Sequence, residues 1–348
     1  MPDRDDRITL SHGAGGTAMA QLIDSVFTVA YGDPSAPRDD SAILFPDRAG
    51  FEIPPDQGAE QGIAFTTDSF VVDPIFFPGG DIGRLAVAGT VNDLLTSAAR
   101  PFAISASFII EEGFPIADMR TIACSMRDTA EECRVRIVTG DTKVVPRGSA
   151  DKLFVTTSGI GRVLRPGVSG ASAKPGDAVI LTGSIGDHGA AVMLARENLL
   201  QTEAIVSDAA PLTDIVMSLV EAGCDIHAMR DPTRGGIGSA LNEIARQSGV
   251  AIEIDESAVA VKPAVAAACE ALGIDPFYVA NEGKMLIIVA APDADRALEV
   301  VRKSRYGQQA ARIGGVRPLP AGRVQVRTSI GTSRILSPPS GELLPRIC

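Results

Sequence analysis

Residues 82–98 read IGRLAVAGTVNDLLTSA. Their apolar residues recur at helical spacing, and Pro101 stops the segment. Strand-like runs flank it: GIAFTTDSFVV at 62–72 and FAISASFIIEEGF at 102–114. Strand, helix and strand in succession place the chain in the mixed α/β (α+β) class. Asp93 does not fit this pattern, because it is a carboxylate inside an apolar helix. It needs a partner, and Mg²⁺ is the obvious one, since that ion takes a few carboxylates together with substrate phosphates.

The same alternation extends in both directions. A helix is predicted over 17–29, with Met19, Leu22, Ile23, Val26 and Phe27 on one face. DSAILFP (40–46), VRIVTGDTKVV (135–145) and KLFVTTSGIGRV (152–163) read as strands, and 116–134 as an amphipathic helix. RPGVSGASAKPGD (165–177) is rich in Gly, Pro and Ser and joins two domains. Beyond it, strands are expected at 174–186, 250–255 and 284–290, and helices at 190–200, 211–222 and 293–304. A Gly-rich loop within 226–249 feeds a further helix. After GRVQVRT (322–328) the pattern fades. The expected division is 1–168, 169–334 and a mobile tail, 335–348.

A chain of 348 residues exceeds what one core usually supports, which agrees with two domains. Trp is absent and the net charge is −11, which argues against nucleic-acid binding. The N-terminus lacks an apolar signal segment, and no apolar run is long enough for a membrane span, so a cytoplasmic protein is expected. Of five cysteines, Cys124, Cys133, Cys224 and Cys269 read as reduced core thiols. Cys348 stands apart as the last residue, on a proline-bearing arm.

Acids recur at strand ends and helix starts: Asp40, Asp68, Asp93, Asp141 and Asp231. Each sits beside small or hydroxylated residues, which suits either a turn or cap or a ligand site. SHGAGG (11–16) puts Gly15 and Gly16 before a helix, where backbone N–H groups can approach a phosphate. RDPTRGG (230–236) adds the Thr233 hydroxyl and the Arg234 cation. Lys143 and Glu282 are either solvated loop charges or a proton-relay pair at the mouth of one site.

SHGAGG, DDSAIL, TTDSFVV, GTVNDLL, TGDTKVV, RDPTRGG, NEGKM and the terminal PRIC together resemble the HypE family of hydrogenase maturation factors. The strand–Asp–helix pieces are shared with the wider superfamily of aminoimidazole ribonucleotide synthetase and selenophosphate synthetase. The terminal PRIC is the family-specific part. The resemblance covers nearly the whole chain, apart from a longer insertion around 46–62 that is expected to be peripheral.

This resemblance implies a two-domain PurM-like fold, with a β-rich N-terminal domain forming a dimer barrel. It implies a homodimer that binds ATP with Mg²⁺. Asp40, Asp68, Asp93 and Asp231 would be the metal–ATP ligands. Thr67, Asn92, Asp141, Thr233, Gly15 and Gly16 would line the nucleotide. Lys143 and Glu282 would flank the reacting tail. Cys348 would receive a carbamoyl group from HypF, which ATP-dependent dehydration converts to thiocyanate. The cyano group would pass to iron on the HypC–HypD complex. Two other readings remain: a synthetase of the same superfamily acting on a diffusible small molecule, and a non-enzymatic scaffold.

Overall fold

The computed structural model describes residues 8, 12, 16–31, 38–45, 62–197, 205–339 and 346–348. A helical stretch opens the chain as α1 (Thr17–Leu22), a π-helical turn and α2 (Val29–Tyr31). The first large sheet has the order β1-β2-β7-β5-β6. Its strands are β1 (Ala42–Leu44), β2 (Ile63–Phe70), β5 (Ala99–Glu111), β6 (Arg136–Val145) and β7 (Leu153–Val163). A small hairpin, β3 (Phe76–Phe77) and β4 (Gly80–Asp81), leads into α3 (Ile82–Thr96). The crossover α4 (Ile116–Cys133) joins the parallel neighbours β5 and β6.

Helix α3 organises the molecule. Asp81 caps it by accepting from the N–H groups of Gly83 and Arg84. Every residue of α3 except Arg84 and Asp93 is buried. A helix apolar all round must be covered all round, and α3 lies between the first sheet and the second half of the chain. Gly89 lets the Phe70 ring approach, because a Cβ there would meet the ring at 3.0 Å.

The second sheet has the order β14-β13-β10-β12-β8-β11-β9. It contains β8 (Ala178–Leu181), β9 (Ile226–Arg230), β10 (Ala251–Asp255), β11 (Leu286–Val289), β12 (Ala311–Arg317), β13 (Arg323–Arg327) and β14 (Ser333–Ile335). Only the β10–β13 pair is parallel. The helices are α5 (Asp187–Arg196), α6 (Thr213–Glu221), α7 (Gly236–Gln247), α8 (Pro263–Leu272) and α9 (Ala294–Lys303). The central strands are buried on both faces. Ile180, Ile287 and Val289 join the core shared with α3, α6 and α9, while Val179, Leu181, Leu286 and Ile288 pack with α7.

Several features differ from the sequence reading. β9 lies where a loop was expected, and α8, β12 and β14 had no assignment. The expected mobile tail begins inside a strand. Ile335 closes β14, and Leu336 is fully buried and donates its N–H to Val324 O at 3.0 Å. Ile347 and Cys348 are buried in the core as well. Main-chain pairing holds this end, and such pairing leaves no periodic side-chain signal. The cysteines also exchange roles: Cys124 is exposed on α4, whereas Cys348 is buried. The insertion around 46–62 lies outside the described residues except for Gly62.

Candidate functional site

Asp40, Asp68, Asp93 and Asp231 come from four separate segments, yet each acts electrostatically on at least one of the others. Asp68 sits on β2 and accepts from Ser69 N at 2.7 Å. Thr66, two residues before it and on the same face, places its hydroxyl 2.9 Å from Asp93 Oδ2 and 2.8 Å from Asp40 O. Asp231 follows β9 directly and is buried. Glu282 is buried too, and its Oε1 has no hydrogen-bond partner among the described residues.

Burial is the first cause of every shift in this group, and the mutual field of the acids adds to it. Asp40 is raised to about 6 by burial, opposed by Arg230. Asp231 is raised to about 8 by burial and then by Asp40. Asp93 is raised well above the carboxylate range by burial, Asp231, Asp68 and Asp40. Glu282 is raised likewise by burial, Asp231 and Asp208. Five acids thus face two cations. Arg230 pairs with Asp40 at 2.9 Å and Glu243 at 2.8 Å. Arg234, exposed on one side, is the cation whose field acts on Cys348, Asp68, Glu282 and Asp93.

Cys348 completes the cluster. It is 8% exposed, and burial followed by the Glu282 charge pushes its thiol far up, against the pull of Arg234. Its tripeptide pairs antiparallel with the chain after β2: Val71 N donates to Cys348 O at 3.1 Å and Asp73 N to Arg346 O at 3.2 Å. Arg346 donates to Val71 O at 3.0 Å and pairs with Asp151.

Other anticipated residues lie elsewhere or act indirectly. Asn92 is buried and spends its amide on the 207–212 strap, donating to Ala210 O at 3.1 Å and accepting from Leu212 N at 2.9 Å. That strap adjoins Glu282, since Ala210 N donates to Glu282 O at 3.2 Å. Thr67 points to the opposite face of β2 from Thr66 and accepts there from Ser158 at 2.9 Å. Asp141 and Lys143 pair with each other at 2.6 Å on exposed β6, away from the acid cluster. The paired lysine and the Thr142 N–H hold Asp141 low. Thr233 O accepts from Gly236 N in the turn before α7. Gly16 abuts Pro339 O, where a Cβ would come within 2.5 Å; Gly15 lies outside the described residues.

The structure adds Thr66, Arg230, Asp208 and Arg196, which the sequence reading missed, and joins to them Lys284 and His188, which read as loop residues. Asp208 accepts from Glu282 N at 3.1 Å and pairs with buried Lys284 at 2.8 Å, so the pair steadies the Glu282 loop. A cavity of about 520 Å³ is bounded by Gly16, Thr17, Arg230, Asn242, Glu243 and Arg246, and Arg230 links it to Asp40. Its size is that of a small-molecule site.

No three of the described residues already form a closed metal cage. Mg²⁺ does not need one, because it keeps waters and shares its ligands with phosphates. An excess of buried acids over cations, with an orphaned Glu282 oxygen, is the donor chemistry that a hard cation bound with a nucleotide satisfies.

The chain is similar to known proteins over nearly its whole length. The chain matches the family model for the AIR synthase related protein N-terminal domain over residues 38–163, and that for its C-terminal domain over 174–327. A carbamoyl dehydratase HypE from Rhizobium leguminosarum bv. viciae is 51% identical, covering 98% of this chain and 95% of its own. The crystal structure of hydrogenase maturation protein HypE in complex with ATP superposes with a TM-score of 0.81 at 43% identity, covering 98% of this chain and all of that one. The HypE chain matched in a HypE–HypF complex gives 0.83 at 46%, covering 91% and 99%. With both domain models matched in order and full-length relatives at this identity, the chain belongs to the HypE family of hydrogenase maturation proteins.

Proposed function

We propose that this chain dehydrates an S-carbamoyl group on its own Cys348 to a thiocyanate, using ATP. The observation that carries this reading is the seating of the chain's own terminal thiol inside the acid cluster, beside Glu282. A carboxamide oxygen is a poor leaving group. Its attack on the γ-phosphoryl group forms an O–P bond and releases ADP. Glu282 removes an N–H proton as the C–O bond breaks and phosphate departs. Loss of the second N–H proton leaves S–C≡N.

Asp40, Asp68, Asp93 and Asp231 would hold Mg²⁺, which supplies charge neutralisation for the transferring phosphoryl group. The cavity that Arg230 links to Asp40 would seat the nucleotide. Arg234 faces the reacting end of the tail as its fixed cation. HypF would deliver the carbamoyl group, and the HypC–HypD complex would take the cyano group to iron. The work is placed in the cytoplasm, where the thiol stays reduced. Among the described residues no helix is long and apolar enough to cross a membrane.

A homodimer is supported by the face of the first sheet turned away from α3. Phe65 and Ile109 are 42% and 44% exposed there, around a row of Ser69, Thr156, Ser107 and Asp141. Among the described residues the outer edge of β6 is also unpaired. A second copy on this face would bring Asp141 and Lys143 to a shared centre. Phe65→Glu combined with Ile109→Glu is expected to give a monomer by sedimentation; an unchanged mass would refute the assignment.

The test of function is intact mass after incubation with HypF, carbamoyl phosphate and ATP. A carbamoyl adduct on the C-terminal peptide that loses water only with ATP is expected. When the donor's carbonyl carries ¹⁸O, that oxygen must appear in inorganic phosphate. Label released as water would sink the phosphorylation route.

A further inference from the structure

Besides its main-chain pairing with 71–73, the tail is gripped by two side chains of α5. The Nε2 of His188 lies 2.8 Å from Ile347 O, and its Nδ1 lies 2.7 Å from Ser207 Oγ. A carbonyl can only accept, so Nε2 carries the proton and Nδ1 of the neutral ring accepts from Ser207. Ser207 Oγ in turn accepts from Ala209 N at 3.0 Å. Each group in this chain has one defined direction. The ring is fully buried and packs edge-on against Phe77, with centroids 5.3 Å apart. At the other end of α5, Arg196 Nη2 donates to Arg346 O at 2.7 Å and to Asp73 O at 2.6 Å.

We propose that α5 is the docking rail of the C-terminal tail. His188 and Arg196 are positioning residues that grip the Ile347 and Arg346 carbonyls and so set where the Cys348 thiol meets Glu282. The proposal rests on the reading that this thiol carries the substrate. The grip is on backbone carbonyls, while the Ile347 side chain is enclosed by the core. The rail therefore fixes register along the tail, and the apolar enclosure selects the residue before the thiol. Undocking releases these two carbonyls and the Ile347 side chain together with the pairing to 71–73 and the Arg346–Asp151 contact, all of them non-covalent, so the same tail can visit an external carbamoyl donor. Neither residue touches the reacting atoms. Their effect reaches the chemistry through the tail's position, where small misplacements are costly.

The test separates the donor from the bulk of the ring. His188→Gln puts an amide nitrogen where Nε2 stood and keeps the donor to Ile347. His188→Asn mimics the Nδ1 side only, keeping contact with Ser207 but losing Ile347. Both remove the buried ring and they differ by one methylene, so thermal melting is measured beside labelling, and a merely structural role would make the two readouts move together. In full-length protein carrying Cys124→Ser, which removes the exposed thiol, Cys348 alkylation by iodoacetamide is followed by peptide mass. His188→Asn is expected to raise the rate about tenfold, the equilibrium equivalent of one lost buried hydrogen bond, with His188→Gln close to the parent. Single-turnover water loss from the carbamoylated tail should slow in the same order.

Arg196→Met, which keeps the apolar stem, provides a second arm should the buried site not tolerate change, and it too should speed labelling. Equal labelling of the Asn and Gln variants, or no rise with Arg196→Met, overturns the proposal. If the labelling order holds while the parent shows no ATP-dependent water loss, the rail stands and the dehydratase reading falls.

Discussion

Cys348→Ala should abolish product entirely. No carbamoyl adduct should form, no thiocyanate should be detected, and supplying HypF with carbamoyl phosphate should no longer raise ATP consumption. The change is small in volume and removes only a sulfur atom at the end of a docked tripeptide whose main-chain contacts remain. The Val71–Cys348 and Asp73–Arg346 hydrogen bonds need no thiol. The fold and the acid cluster should therefore survive, and so should any ATP hydrolysis that does not depend on the tail. This pattern discriminates between the readings. A synthetase acting on a diffusible molecule would keep substrate-stimulated turnover in the alanine variant. A scaffold would show no ATP turnover in either form. Retention of thiocyanate formation by Cys348→Ala, measured by mass and by ADP release, would end the proposal.

Asp93 was legible as a candidate because it breaks its local pattern, whereas Asp40, Asp68 and Asp231 suited a turn or cap as well as a ligand site. Asp93 interrupts an apolar helix that burial on all sides demands, and Asp231 sits where a strand turns into a Gly-rich helix start. What lay beyond the sequence was orientation. In the TTD of β2, one threonine faces Asp93 and the other the open sheet. A period of two cannot say which until the packing of α3 fixes the inward face. Asn92 resembles a ligand residue by type, yet contacts far along the chain, at 210 and 212, use both ends of its amide. Asp141 and Lys143 read as candidates from their place on a strand as well as from the family resemblance, but within one chain they form an ion pair with each other on exposed β6. The tail was hidden for a related reason: strand addition by main-chain groups works with many side chains, so 335–348 carries no alternation to read.

Glu282→Gln is expected to slow the dehydration step by about 10²–10⁴-fold, the usual worth of a positioned general base. The carbamoyl adduct should still form and then accumulate, because the substitution leaves the thiol and the HypF encounter untouched. The physical argument starts from burial. Glu282 lies beside Asp231, Asp208 and Asp68, with Arg234 as its opposing cation, and its Oε1 is unpaired among the described residues. Holding an ionised carboxylate there costs free energy, and that cost makes the ionised form a strong base once the amide of the tail is presented to it. Glutamine keeps the shape and removes both the base and the buried charge. The variant should therefore melt no lower than the parent, and relief of repulsion among the acids should raise its melting temperature. Low activity with undiminished stability separates a catalytic loss from an unfolded site. Glu282→Asp, which keeps a carboxylate but withdraws it by one methylene, should recover part of the rate. Single-turnover mass measurements on the pre-carbamoylated tail decide the matter. A rate for Glu282→Gln within about threefold of the parent would be too small for a lost base, and it would assign proton removal to another group.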